Sequence, residues 1–402
     1  MHRHPLRHAL APLLASIACL VAPATHADPL SVTISYLGRS EPPIEPLSLV
    51  EPILKDEGIQ GARQGILDDQ TTGRFLKHDY KLVEHVVPQD GNVGAAFAQA
   101  LDAGERLFIV DLKADELTGL APAAEKAGAV LLDSRTNDDE LRTDKCSRAV
   151  FHTAPSYAMK TDALAQYMAV KRWSRWLLIR GSLPPDIAYA NALKRSARKF
   201  GLKVVDEREY KYVEGSRRTD TGVIQIQGQI PVFTQSAPDY DVAVVADESD
   251  VFGEYIPYHT WDARPVVGTV GLVPTAWSRV HEQWGGTQLQ RRFEKLAGRW
   301  MTERDYNAWV ATRAVSEAVT RTQTTDPQKL RDYMLSDKFE LGAFKGQGVS
   351  FRRWDQQLRQ PMLLVTPRML VSVSPQDQFL HQRTPLDTLG FDEPESKCRL
   401  NG

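Results

Sequence analysis

Short runs of β-branched and apolar residues alternate with helical periodicity along this chain, and the alternation runs twice. The first set opens with Leu30–Leu37 (LSVTISYL), which alternates apolar and polar residues and ends at Gly38, as a strand and its turn do. Glu41–Pro52 carries four prolines and reads as a loop. Gly58–Lys77 follows as a helix, with Ile59, Ala62, Ile66 and Phe75 near one face. Tyr80–Val87 is then a strand, Val93–Leu101 a helix, Arg106–Leu112 a strand, Asp115–Lys126 a helix and Ala129–Leu132 a strand. The second set runs from a helix over Ser156–Val170 through strands at Trp176–Ile179, Leu202–Val205, Asp241–Ala246 and Pro265–Val270, with a helix over Asp186–Phe200. Helices at Gln288–Ala297 and Arg304–Arg321 and strands at Val349–Trp354 and Met362–Val373 close the pattern. Strands alternating with helices predict an α/β fold of parallel sheets covered on both faces. The joint between the two sets, Phe151–Ser156, is short and lacks a Gly/Ser tract, which suits a hinge rather than a tether.

Length and composition agree. At 402 residues two domains are expected, and 49 basic against 51 acidic residues, a net charge of -2, give no basic surplus for nucleic acid. Met1–His8 carries Arg3 and Arg7 and no acid, Leu10–Val21 is apolar but for Pro12 and Ser16, and Ala24 to Ala27 offers small-residue cleavage sites. Residues 1–27 therefore read as a secretory signal peptide, too short for a membrane span, with a product in the periplasm. Loss of Arg3 and Arg7 leaves a net charge of -4. Of three cysteines Cys19 leaves with the signal. Cys146 and Cys398 remain, as a bridge tying down the C-terminal tail or as two free thiols; the oxidising compartment favours the bridge.

Ligands of open α/β sheets sit beyond the carboxyl ends of the strands, so candidate residues are those just after each strand. These are cationic and aromatic: Arg39, Lys113, Arg135 with Thr136, Arg180 and Arg264, together with Trp261, Trp277 and Trp284. Arginine forks recognise carboxylates, and tryptophan faces stack planar rings. Together they describe a pocket for a flat, anionic, polycarboxylate molecule. Taken singly, each such arginine is more often a surface ion pair and each tryptophan more often core.

His281–Gly286 (HEQWGG) begins as a zinc-protease helix would, yet position 285 is glycine where a second histidine is needed, so no metal site is read there. His281 and Trp284 are expected on a turn lining the cleft, with a packed corner as the alternative. No G-x-S-x-G elbow and no P-loop is present, and the chain is expected not to be an enzyme. Arg217-Arg218 reads as a solvated loop pair, and Lys194–Lys199 as the exposed face of a helix.

Three stretches resemble one family: Phe151–Gly181 (FHTAPSYAMKTDALAQYMAVKRWSRWLLIRG), Thr260–Leu272 (TWDARPVVGTVGL), and His281–Phe293 with Asp305–Val319. The chain is similar to the substrate-binding component of the ABC transporter associated with pyrroloquinoline quinone (PQQ)-dependent alcohol dehydrogenase systems, within the branched-chain amino-acid type of periplasmic binding proteins. The resemblance implies a type I fold of two Rossmann-like lobes joined by a three-crossover hinge. The N-terminal lobe would hold residues 28–151 and 275–335, and the C-terminal lobe 152–274 and 336–402. It implies PQQ as bound ligand rather than catalytic cofactor, a membrane permease as partner, and an alcohol dehydrogenase as a further one. Amino-acid receptors usually carry small hydroxyl residues where Lys113 and Arg135 stand here, which argues for extra carboxylates on the ligand. The alternatives are a receptor for a branched-chain or aromatic amino acid or related carboxylate, and a periplasmic chaperone that hands PQQ to the dehydrogenase.

Overall fold

The structure is a computed structural model that describes residues 30–42, 52–211, 220–398 and 400. The signal peptide, Cys19, Arg217 and Arg218 lie outside the described residues.

The first half runs β1 (Leu30–Arg39), α1 (Ile59–Leu76), β2 (His78–Val87), α2 (Val93–Asp102), β3 (Leu107–Asp111), α3 (Ala114–Ala127), β4 (Val130–Asp133) and β5 (Val150–His152). Its five strands are parallel, in the order β2-β1-β3-β4-β5. Then come α4 (Tyr157–Lys171), β6 (Arg175–Arg180), α5 (Pro184–Lys199), β7 (Lys203–Glu209), α6 (Asp220–Thr234), β8 (Val242–Ala246) and β9 (Val266–Gly268). These form a second parallel sheet, β7-β6-β8-β9. The chain continues through β10 (Val273–Thr275), α7 (Gly286–Ala297), α8 (Glu303–Thr322) and α9 (Pro327–Met334) to β11 (Leu341–Gly342), β12 (Gly348–Phe351), β13 (Leu358–Arg359), β14 (Met362–Thr366) and β15 (Met369–Ser374).

Two-residue periodicity places neighbours on opposite, equally covered faces. On β3, Leu107 and Ile109 join the apolar cluster shared with α1 and α8, while Phe108 and Val110 join the one under α2 and α3. α8 packs on α1 and on β3 and β4, so it belongs with the first sheet; α4 packs on α5 and on the antiparallel β10-β14-β15 sheet. The chain thus passes between the halves three times: after β5, after β10, and between α9 and β14. The α1–α8 contact is close enough to need glycine: a Cβ on Gly61 would lie 1.8 Å from the Asp305 carbonyl oxygen. Phe75, expected on the buried face of α1, is instead 86% exposed, because α1 buries its glycine-lined face.

The strands fall largely where the pattern places them. α6 is not readable, because Gly222, Gly228 and Pro231 lie within it. β5 and β10 are only three residues long. Cys146 and Cys398 form a disulfide, with Cα atoms 5.7 Å apart across 252 residues.

Candidate functional site

Strand order selects where a ligand can enter. In β2-β1-β3-β4-β5 the order reverses between β1 and β3, and in β7-β6-β8-β9 between β6 and β8. Connections leave in opposite directions at such points and open a crevice beyond the strand ends. A cavity of about 280 Å³ lies at the β1 exit, lined by Tyr36, Arg39, Glu41, Glu57 and Arg304, and by Asp250 from beyond β8. Residues of both halves thus border it.

At the end of β3, Asp111 is buried and accepts the Arg304 Nε–H at 2.7 Å and the Tyr36 hydroxyl. Burial, then the Asp111 charge, raises the Tyr36 hydroxyl pKa well above the usual tyrosine range. Gly58 makes room for this arrangement, since a Cβ there would come within 2.1 Å of an Asp111 carboxylate oxygen.

Lys113 and Arg135 meet at one carboxylate. Arg135 Nη2 donates to Glu41 Oε2 at 2.6 Å, and Lys113 Nζ lies 3.2 Å from Glu41 Oε1. Burial works against ionisation of Glu41, but the hydrogen bonds and charges of Arg135 and Lys113 outweigh it and hold its pKa below the usual range. Arg135 Nη1 is buried and finds no hydrogen-bond partner among the described residues.

On the other half, Asp247 is spent on its own turn, accepting the N–H groups of Val251, Phe252 and Gly253. Glu248 next to it shares a hydrogen bond with Tyr157 and faces Lys160; burial is the main cause that raises its pKa. Lys160 Nζ in turn pairs with Glu303 Oε2 at 2.7 Å, joining α4 to the start of α8 and thus one half to the other.

The remaining expected site residues have other occupations. Thr136 is buried and donates its hydroxyl to Asp133, which also takes the His152 Nδ1–H at 2.7 Å. Burial and the Arg142 charge push His152 down to about 4, so it donates as a neutral imidazole. Arg39 is held by Glu116 at 2.6 Å and by the carbonyls of Pro88 and Gly91. Arg180 pairs with Glu207 and Glu209 of β7.

Trp277 is not a cleft residue. It is 2% exposed, stacked on Tyr306 at 4.7 Å and edge-on to His281, which leaves no ring face for a solute. His281 is buried and its Nε2 meets the Phe344 carbonyl at 2.7 Å, so HEQWGG is a packed corner that starts α7. Trp284, half exposed, covers Gly346, where a Cβ would come within 2.6 Å of its ring. Arg264 and Trp261 precede β9 and so stand at the starting ends of the parallel strands, opposite the cleft; Arg264 pairs there with Asp239 at 3.3 Å. Arg264 is therefore not an exit residue: it directly precedes the strand expected at Pro265–Val270, and the structure keeps it before β9.

Sequence reasoning also missed participants. Glu41 falls in the stretch read as a proline-rich loop and Arg304 at the start of a predicted helix, while Glu248 follows the strand expected at Asp241–Ala246. Glu41 and Glu248 stand just beyond strand exits, but acids were not weighed there as partners of the cations, and Arg304 reaches the site from the first turn of α8.

The profile described as "Periplasmic binding protein" matches residues 88–228. A branched-chain amino acid ABC transporter periplasmic ligand-binding protein from Burkholderia xenovorans superposes with a TM-score of 0.70 at 14% identity, covering 92% of this chain and 100% of that one. The chain has the type I periplasmic binding protein fold. An ABC transporter substrate-binding protein from Desulfitobacterium hafniense in complex with Leu gives a TM-score of 0.63 at 16% identity, covering 86% of this chain and 99% of that one. A solute-binding protein from R. palustris in complex with benzoate gives 0.63 at 10% identity, covering 92% and 99%. No curated protein matches.

Proposed function

We propose that this chain is the periplasmic solute receptor of an ABC transporter, not an enzyme, and that it captures a small carboxylate between its halves for delivery to a membrane permease. The observation that carries this reading is the convergence of Lys113 and Arg135 beyond β3 and β4, with a buried guanidinium nitrogen unpaired among the described residues. A cation pair beside a switch point suits an anionic ligand, because charge-assisted hydrogen bonds each contribute about 1.5–3 kcal/mol. Three chain crossings let the halves close on a solute by hinge motion.

The specific ligand we propose is PQQ, as the resemblance of Phe151–Gly181 and His281–Phe293 implies; one of its three carboxylates would engage the two cations. Tryptophan stacking no longer supports it, since Trp277 is packed away. Delivery of PQQ to an alcohol dehydrogenase goes with this reading.

A second reading has its own observation. Asp250 borders the same crevice from the other half, and an acid across a crevice from cationic side chains suits a zwitterion such as an amino acid. Titration of PQQ and of leucine into the mature protein, read by calorimetry, separates them. Saturable PQQ binding at one equivalent with silence from leucine supports the first; leucine binding alone overturns it in favour of the second.

A further inference from the structure

We propose that Lys113 and Arg135 form a carboxylate subsite that the chain itself occupies with Glu41, and that an incoming ligand carboxylate displaces it. The inference rests on the solute-receptor reading and adds a tethered competitor to it.

Three features mark Glu41 as a replaceable occupant. Its grip is divided: one oxygen meets Arg135 and the other Lys113, so neither cation is engaged in the two-pronged geometry that makes an arginine–carboxylate pair strong. Nη1 of Arg135 is buried without a hydrogen-bond partner among the described residues, so the contact leaves donor capacity unused on the arginine. Its backbone is also outside the sheet, since the strand ends at Arg39 and the last bond to the neighbouring strand is Ser40 N–H to the Val87 carbonyl at 2.8 Å. Glu41 can withdraw its side chain without breaking that ladder.

The contrast with Arg39 shows what a permanent pair looks like here. Its Nε and Nη2 both meet Glu116, at 2.7 and 2.6 Å, and Nη1 is shared among loop carbonyls, so all three of its nitrogens are engaged inside the fold. At Lys113 and Arg135 two positive charges face one negative charge, and Lys113 keeps 63% of its side chain exposed. The surplus positive charge favours anion capture. A ligand carboxylate that engages Arg135 through both oxygens gains the fork that Glu41 lacks, and Glu41 is released toward the cavity it already borders.

The test is Glu41→Gln in the full mature chain, which keeps shape and removes the charge. If Glu41 fills the subsite about nine-tenths of the time, apparent affinity for a carboxylate rises roughly tenfold on its removal, because only the vacant fraction is competent. Affinities for PQQ and for citrate, a compact tricarboxylate, are measured by calorimetry on both proteins, alongside Glu41→Gln/Arg135→Gln. Tightening of either probe in the single variant, abolished in the double, supports the proposal. Binding to the natural protein that is unchanged or weakened in Glu41→Gln overturns the tethered competitor and leaves the receptor standing. Failure of PQQ, citrate and leucine to bind any of the proteins overturns the receptor reading itself. Thermal melts keep the variant interpretable: citrate raises the melting temperature of Glu41→Gln more than that of the natural chain, and an equal or smaller rise counts against the proposal.

Discussion

Arg135 and Arg142 stand close together in the sequence and do opposite work. Arg142 is 1% exposed and spends its guanidinium completely: Nε on Gln357 at 2.9 Å, Nη2 on the carbonyls of Thr136 and Ala154, Nη1 on Thr136 and Asp138, with Asp133 3.5 Å away. Arg135 is half-buried and, among the described residues, pairs with one side chain and leaves one nitrogen without a partner. The first arginine welds β4, the crossing segment after β5 and the Gln357 region into one body; the second holds something that can be exchanged. What separates them is the fraction of donors already committed inside the fold, not charge or residue type.

The largest expected effect is on the welded side. Arg142→Leu leaves the buried Asp133 carboxylate without its cation, and breaking a buried pair from one side costs about 3–5 kcal/mol. Urea unfolding should show a midpoint well below that of the natural protein. A loss under about 1 kcal/mol would mean that Arg142 is not the main support of Asp133.

Arg135→Gln sharpens the comparison from the other side. Stability should change little, while affinity for the carboxylate ligand falls by about 1.5–3 kcal/mol, the worth of a charge-assisted hydrogen bond. If both arginines cost stability alike and affinity is untouched, the two sites are of one kind and the ligand lies elsewhere.

Lys345 is a third case, a buried cation with no acid in hydrogen-bond contact. Its Nζ donates to the Pro361 carbonyl at 2.9 Å, and burial, partly offset by Glu303, pushes its pKa down to about 7. An unfolded lysine titrates near 10.4. Between those values the unfolded chain binds a proton that the fold does not, so Lys345 makes stability rise with pH by up to about 1.4 kcal/mol per unit. Below about pH 7 both states hold the proton, and the cost of burying the charge is fully present. Lys345→Met should therefore stabilise most at or below neutral pH, with the gain shrinking toward pH 10; a gain independent of pH would show that Lys345 is charged in the fold throughout.

Much of the fold was legible because period-two apolar runs and intervening helical patterns are local properties, as β3 and α3 show. α6 was hidden by Gly222, Gly228 and Pro231, whose propensities tertiary packing overrides. The site was legible only in part. The exit rule found Lys113 and Arg135, because strand ends can be read from pattern. It did not find that Arg39 and Arg180 are consumed by Glu116, Glu207 and Glu209, since acid partners lie on other elements and pair only through the fold. Tryptophan density near Trp277 marked a packed corner, because an indole that stacks on Tyr306 looks the same in sequence as one that awaits a ring.

The smallest effect tests that last distinction at the far end of the sheet. Arg264 pairs with Asp239 at 3.3 Å across an exposed edge, where the strands β8 and β9 begin. Exposed pairs of this kind contribute about 0.2–1 kcal/mol. Arg264→Ala should thus move the urea midpoint barely and leave ligand affinity unchanged, which calorimetry reads directly. Arg135→Gln and Arg264→Ala remove the same charge from the same residue type, so any difference between them comes from position along the strands. Equal losses of affinity would mean that the anion is drawn by the field of the whole molecule. A loss confined to Arg135 would tie recognition to the crevice where the strand order reverses.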